Sequence, residues 1–294
     1  MISRRTFLGA SLAAPLATLA RDARAEAPPA SAPAPAIFVS HGVPLFLPGN
    51  EARIAELAAW GKTLPRPRGI VVMTPHFASR AQEIGRRAPG AALFNLPRPM
   101  RSQLSEALDY KTPDASALAE RVESALGVKP ARPERNGFDH TTWMPLRCLF
   151  PSADVPVIEL GYPFPTPREA FELGRRLAPL RDDGVMFVAS GGMTHNLAAG
   201  RPASPRPDAP PARYVTEFDA WAAERLAKLA VDDLVDFRQK APAVELAHPD
   251  DGAHYRVILV ALGVALHART SARTVRFPVT GIDATQSKRC VELS

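Results

Sequence analysis

The chain has 294 residues, 46% of them hydrophobic and 22% charged, which excludes a fibrous or low-complexity protein and leaves ample length for one substantial core. Lysine and arginine outnumber aspartate and glutamate by 36 to 30, yet no basic run marks a nucleic-acid or membrane surface. Two cysteines, Cys148 and Cys290, are too few for a disulfide framework.

The chain opens with Ser3-Arg4-Arg5-Thr6-Phe7-Leu8, an apolar run from Phe7 to Ala20, and Ala23-Arg24-Ala25. This pattern predicts a twin-arginine signal peptide over residues 1–25, cleaved after a small-x-small site, and export of the folded protein to the periplasm. The apolar run is shorter than the ~20 residues that span a bilayer, so no membrane partner is expected once the signal is gone. Loss of Arg4, Arg5, Arg21, Arg24 and Asp22 would lower the net charge from +6 to +3. Residues 26–36 are rich in proline and alanine and read as a linker, and residues 37–294 as a single folded domain.

From there, nearly continuous apolar runs predict strands at Ile37–Ser40, Gly69–Thr74, Val155–Leu160 and Val185–Ser190, buried on both faces. Between them, apolar residues at helical spacing predict helices. Glu51–Lys62 is expected to face inward through Ile54, Leu57, Ala58 and Gly61. Asp114–Leu126 presents Leu118, Val122 and Leu126, and Thr166–Leu180 begins with a Thr166-Pro167 cap. Helices over Ala212–Leu229 and Asp251–His267 complete the pattern, and the Pro-rich stretch 200–213 reads as a long loop with the features of a lid. Alternating strands and helices predict an α/β fold, a single three-layer αβα domain with a mainly parallel sheet.

Six of the seven histidines sit in short Gly/Pro-punctuated segments. His41 and His76 each closely follow a predicted strand, His195 follows another, and His254 falls in the first turn of the last long helix. In an open α/β sheet the ligand crevice lies beyond the carboxyl ends of the strands, so these side chains are expected to converge. Imidazole is the commonest neutral ligand of divalent transition metals. No HExxH, CxxC, Walker loop or Gly-x-Ser-x-Gly elbow is present, and Ser190-Gly191-Gly192 lacks dinucleotide-binding spacing.

The segments Ser40-His41-Gly42-x-Pro44, Pro75-His76-Phe77, Gly137-Phe138-Asp139-His140-x-x-Trp143-x-Pro145-Leu146, Ser190-Gly191-x-x-Thr194-His195-Asn196-Leu197 and His254-Tyr255 followed by Leu259-Val260-Ala261-Leu262-Gly263 occur in this order. Together they resemble the class III extradiol ring-cleavage dioxygenases of the LigB type, and most closely their DOPA 4,5-dioxygenase-like branch. The resemblance implies metal ligation by His41, His76 and His254, with His195 as a fourth ligand or a catalytic base. It implies that His140 hydrogen-bonds substrate or dioxygen, while His248 near His254 receives no clear role. Asp139 and Asn196 stand as partners that fix imidazole tautomers, or as turn and cap residues. The implied cofactor is Fe(II), with Zn(II) as an occupant of the same site, and the implied partners are a small aromatic diol and O2. A zinc-dependent hydrolase on this scaffold, or a non-catalytic metal-binding protein, are the alternative readings. Val43 departs from the family pattern.

Overall fold

The computed structural model describes residues 33–42, 44–47, 49–77, 83–85, 90, 96, 98–104, 109–127, 137–161, 163, 166–199, 210–269, 271–283 and 286–294. The expected signal peptide, most of the linker, Val43 and residues 200–209 of the expected lid lie outside the described residues.

In chain order the strands are β1 (Ala36–Ser40), β2 (Gly69–Met73), β3 (Glu83–Ile84), β4 (Val157–Gly161), β5 (Val185–Gly191), β6 (Val275–Arg276), β7 (Ile282–Asp283), β8 (Gln286–Ser287) and β9 (Val291–Leu293). The helices are α1 (Glu51–Gly61), α2 (Arg98–Leu104), α3 (Ser116–Leu126), α4 (His140–Leu149), α5 (Pro167–Asp182), α6 (Arg213–Ala227), α7 (Val231–Val235), α8 (Phe237–Lys240), α9 (Val244–Ala247) and α10 (Ala253–His267). Seven strands form one sheet in the order β3-β4-β2-β5-β1-β9-β6. Its centre, β4-β2-β5-β1, is parallel, and β3, β9 and β6 pair antiparallel at its flanks.

The four expected strands are present, and every residue of them is buried. Alternation along each strand sends side chains to opposite faces. Phe38, Val71, Met73, Ile158, Leu160, Phe187 and Ala189 join a core with α3, α5, α6 and α10. Ile37, Val39, Ile70, Val72, Val157, Met186 and Val188 join a second core with α1 and α4. These cores are the two seams of a three-layer αβα domain.

Local chemistry accounts for the ends of α5. Thr166 accepts from the Glu169 N–H while Glu169 reaches back to the Thr166 backbone, a capping box with Pro167 in the first turn. Helix α1 is rotated from the expected face: Arg53, Leu57 and Trp60 are buried, while Ile54 is only half-buried. Polar partners drive this rotation. The Arg53 guanidinium donates to the carbonyls of Ser40 (2.9 Å) and Lys288 (2.8 Å), and Trp60 Nε1 donates to Glu292 Oε2 at 2.9 Å. Both cysteines are buried free thiols. Among the described residues no helix is long and apolar enough to cross a membrane.

Helix α10 is buried over nearly its whole length, and Gly263 faces Gly174 of α5. A Cβ on Gly263 would lie 2.2 Å from the Phe171 carbonyl oxygen, so the helices approach backbone to backbone only because both positions are glycine. Gly263→Ala is therefore expected to destabilise the protein by about 1–3 kcal/mol. A lowered midpoint in chemical denaturation checks this, and an unchanged midpoint would show that the contact relaxes at no cost.

Candidate metal centre

The chain runs from β2 to β4 on one side, then crosses back over β2 to reach β5 on the other. The carboxyl edge of the sheet beside this reversal is where a crevice forms, and the histidines gather there. His41 follows β1 directly, and its N–H donates to the Gly191 carbonyl of β5 at 2.9 Å. His76 lies in a single 3-10 turn, Pro75–Phe77, just after β2. His254 opens α10 and is tied to the end of β5 by a 3.0 Å bond from Gly192 N–H to its carbonyl. That contact is close enough that a Cβ on Gly191 would lie 2.2 Å from the His254 oxygen.

The rings of His41, His76 and His254 stand 5.3–5.4 Å apart between centroids, with mutual angles of 76–83°. One nitrogen from each lies within 4.8 Å of the other two. Three near-perpendicular rings with nitrogens this close together could hold a single ion. Burial pushes His41 well below its ordinary pKa, with help from the neighbouring histidines. Burial likewise takes His76 down to about 4 against the opposing Asp139 carboxylate, and His254 down to about 2. All three are neutral near pH 7, the form a metal requires.

Hydrogen bonds fix the orientation of His41 through an unexpected route. Helix α4 contains Pro145, which has no N–H to offer the Thr141 carbonyl one turn earlier. Ser190 Oγ donates to that carbonyl instead, at 2.5 Å. With its one proton used, Ser190 Oγ can only accept from His41 Nδ1 at 3.1 Å. His41 Nε2 is left as the lone-pair nitrogen.

Asp139, fully buried, caps α4 by accepting from Thr141 N (2.9 Å) and Thr141 Oγ1 (2.7 Å). Its Oδ1 also lies 3.3 Å from His140 Nδ1 and 3.5 Å from His76 Nδ1. Burial would raise this carboxyl, but the His140 hydrogen bond, the His140 and His76 charges and the Thr141 N–H outweigh it and hold it at about 2. As an ionised acceptor, Asp139 braces a ring inside the trio and one beside it. The Thr74 hydroxyl extends the network with a 2.8 Å bond to Thr141 Oγ1 and accepts from His76 N–H at 3.3 Å. His140 meets His76 edge-on at 5.0 Å.

His195 stands on the other side. Its ring stacks on His254 at 3.5 Å, nearly parallel at 9°. Lone pairs lie in the ring planes, so the stacked His195 and His254 rings present parallel lone-pair planes. His195, Asp250 and His254 form a second group whose ligand atoms lie within 4.8 Å of one another, beside the three-histidine group with which it shares His254. Its Nδ1 lies 3.0 Å from Asp250 Oδ2, an aspartate that the sequence reading missed. The only signal was the acidic pair Asp250-Asp251 between His248 and His254. Burial would raise the Asp250 carboxyl, but the hydrogen bonds from His195 and Gly252 N–H hold it well below the usual carboxylate range.

The remaining expected residues do not join the centre. His248 is fully buried among Phe218, Phe237 and Tyr255, and its Nε2 donates to the Met193 carbonyl at 3.0 Å. It ties the loop carrying His195 to the segment carrying Asp250. Asn196 donates to the Leu246 carbonyl (2.7 Å) and accepts from Ala199 N–H (2.9 Å), so it is a turn brace and not a tautomer-fixing partner. Trp143 is fully buried and stacks on Phe46 at 5.8 Å.

The donor set fits a metal. His254 Nδ1 is buried without a hydrogen-bond partner among the described residues, and its Nε2 faces His76 Nε2 at 3.4 Å. Three neutral imidazoles suit a divalent transition ion and not a hard cation, which takes oxygen ligands. Removing the acceptor for His41 should loosen this set: Ser190→Ala is expected to weaken metal binding by about 10–100-fold. Chelator competition on the folded variant measures this, and an affinity within twofold of the parent would remove Ser190 from the account.

Residues 36–286 match the family described as the catalytic LigB subunit of aromatic ring-opening dioxygenase. The chain is similar to the 4,5-DOPA dioxygenase extradiol of Portulaca grandiflora, at 32% identity over 77% of this chain and 84% of that one. It is similar to the protein of the same description from Escherichia coli (strain K12), at 30% identity over 85% of this chain and 90% of that one. A crystal structure of an uncharacterized protein from Escherichia coli K12 matches with a TM-score of 0.72 at 28% identity, covering 89% of this chain and all of the other.

Proposed function

The chain belongs to the LigB family of class III extradiol dioxygenases, in its DOPA dioxygenase-like branch, and we propose that it cleaves the ring of a small catechol with O2, using Fe(II) held by His41, His76 and His254. The observation that carries this reading is the arrangement of five histidines: three near-perpendicular rings, flanked by His140 and His195, each with Nδ1 against a carboxylate. Bound there, ferrous iron would supply open coordination positions and the redox chemistry that imidazoles lack.

The protein's own residues then handle protons. A catechol gives up hydroxyl protons to chelate a metal through both oxygens, and an imidazole is suited to accept one near neutral pH. His195 stands beside the trio with one ring nitrogen committed to Asp250, and serves as the proton acceptor. His140, whose Nδ1 faces the ionised Asp139, stands on the opposite side of the trio and is assigned to hydrogen-bonding substrate or dioxygen. Two imidazoles flanking one ion match a diol, and a pure metal-binding protein would need neither. We further propose periplasmic export through residues 1–25, on the Ser3-Arg4-Arg5-Thr6-Phe7-Leu8 pattern.

Three histidines are also a donor set that zinc uses in hydrolases, and the test separates the two chemistries. Protein loaded anaerobically with Fe(II) is expected to consume O2 with DOPA or protocatechuate and to form a yellow ring-opened product. His41→Ala should lose the metal. His195→Ala should keep it and slow turnover by about 10²–10⁴-fold, the worth of a positioned acid–base group. Iron-loaded protein that consumes no O2 with any catechol, while the zinc form hydrolyses an ester, would overturn the dioxygenase reading.

A further inference from the structure

We propose that Asp250 is a positioning residue: it holds the Nδ1 proton of His195 and so leaves Nε2 as the lone-pair nitrogen beside the metal centre. The inference rests on the role given to His195 above and adds the group that sets its tautomer.

A neutral imidazole carries its proton on either nitrogen, and the tautomer is decided by what the ring faces. Asp250 Oδ2 lies 3.0 Å from His195 Nδ1, and a carboxylate can only accept. The proton therefore sits on Nδ1. No described residue hydrogen-bonds Nε2, which stays open to a ligand.

The carboxylate is itself held. Gly252 N–H donates to Asp250 Oδ1 at 2.8 Å, and the Arg238 guanidinium donates to the Asp250 carbonyl and, at 2.8 Å, to that of His248. His195 is fixed from the same segment, since its N–H donates to the Ala247 carbonyl at 2.8 Å. The orienting acid therefore lies on one short stretch, 247–252, to which the backbone of the base is also tied. Stacking on His254 sets the plane of the His195 ring, and Asp250 sets its rotation within that plane. Asp139 stands in the same relation to His140 across the site.

Asp250→Asn tests this directly. The carboxamide is nearly isosteric, but its NH2 can donate to Nδ1 and so favour the opposite tautomer. Long-range proton–nitrogen NMR on the full chain, with and without added zinc, reads the His195 tautomer without reference to turnover. The parent is expected to carry the proton on Nδ1 in both states, and Asp250→Asn to move His195 toward Nε2–H. In the iron-loaded enzyme the same change should lower kcat by about tenfold or more with KM within about threefold. Asp250→Glu should restore both the tautomer and part of the rate. An Nε2 proton in the parent, an Nδ1 of His195 bound to zinc, or an Asp250→Asn enzyme with unchanged kcat would each overturn the proposal. If the parent consumes no O2 with any catechol, the function proposed above fails, and the NMR result alone decides the role of Asp250.

Discussion

Three imidazoles, two buried and one half-buried, pack favourably side by side when none is charged and each ring is turned to a defined partner. This constraint organises the carboxyl edge of the sheet. Leaving a buried polar group unsatisfied costs about 1–3 kcal/mol, and neighbouring positive rings would cost more. The fold meets the demand with acceptors drawn from distant segments: Ser190 for His41, and Asp139 for both His76 and His140. His254 is the exception, with its Nδ1 unpartnered among the described residues. A site that gathers this many neutral imidazole nitrogens and leaves one of them unpaired among the described residues is suited to a cation.

The least obvious part of this arrangement is the use of a helix defect. Pro145 interrupts the hydrogen-bond ladder of α4, and the carbonyl it frees on Thr141 becomes the acceptor that orients Ser190, which in turn orients His41. The same helix is capped by Asp139, so both of its irregularities serve the metal centre. The C-terminal segment supports the opposite wall. Ser287 N–H donates to Thr194 Oγ1 at 3.0 Å, its hydroxyl donates to Asp219 at 2.5 Å, and Arg289 grips both oxygens of Asp219. The loop that carries His195 is thereby tied to α6 and to the end of the chain.

Much of this was legible in the sequence because the physics is local. Val185–Ser190 reads as a strand from its unbroken apolar run, and Thr166-Pro167 with Glu169 reads as a helix start from its own hydrogen bonds. The convergence of His41, His76 and His254 followed from placing each after a strand or at a helix start. What was not legible depends on long-range partners. The two- and three-residue strands β3, β6 and β9 exist through pairing and not through propensity. Helix α4 is obscured by Pro145, and the buried face of α1 turns on Arg53 finding backbone carbonyls at Ser40 and Lys288. Asp250 escaped because nothing in its neighbourhood shows that it meets His195, 55 residues earlier in the chain. Asn196 had two readings from its motif position, and its hydrogen bonds to Leu246 and Ala199 match the turn-and-cap one.

The central claim is that one divalent ion is held by His41, His76 and His254, with His195 beside it on Asp250. Anomalous diffraction from crystals of the metal-loaded protein tests it most directly. The account predicts a single strong peak between those three rings, with His195 still stacked on His254 and its Nδ1 still on Asp250. A peak ligated by His195, or one centred outside the three rings, would contradict it.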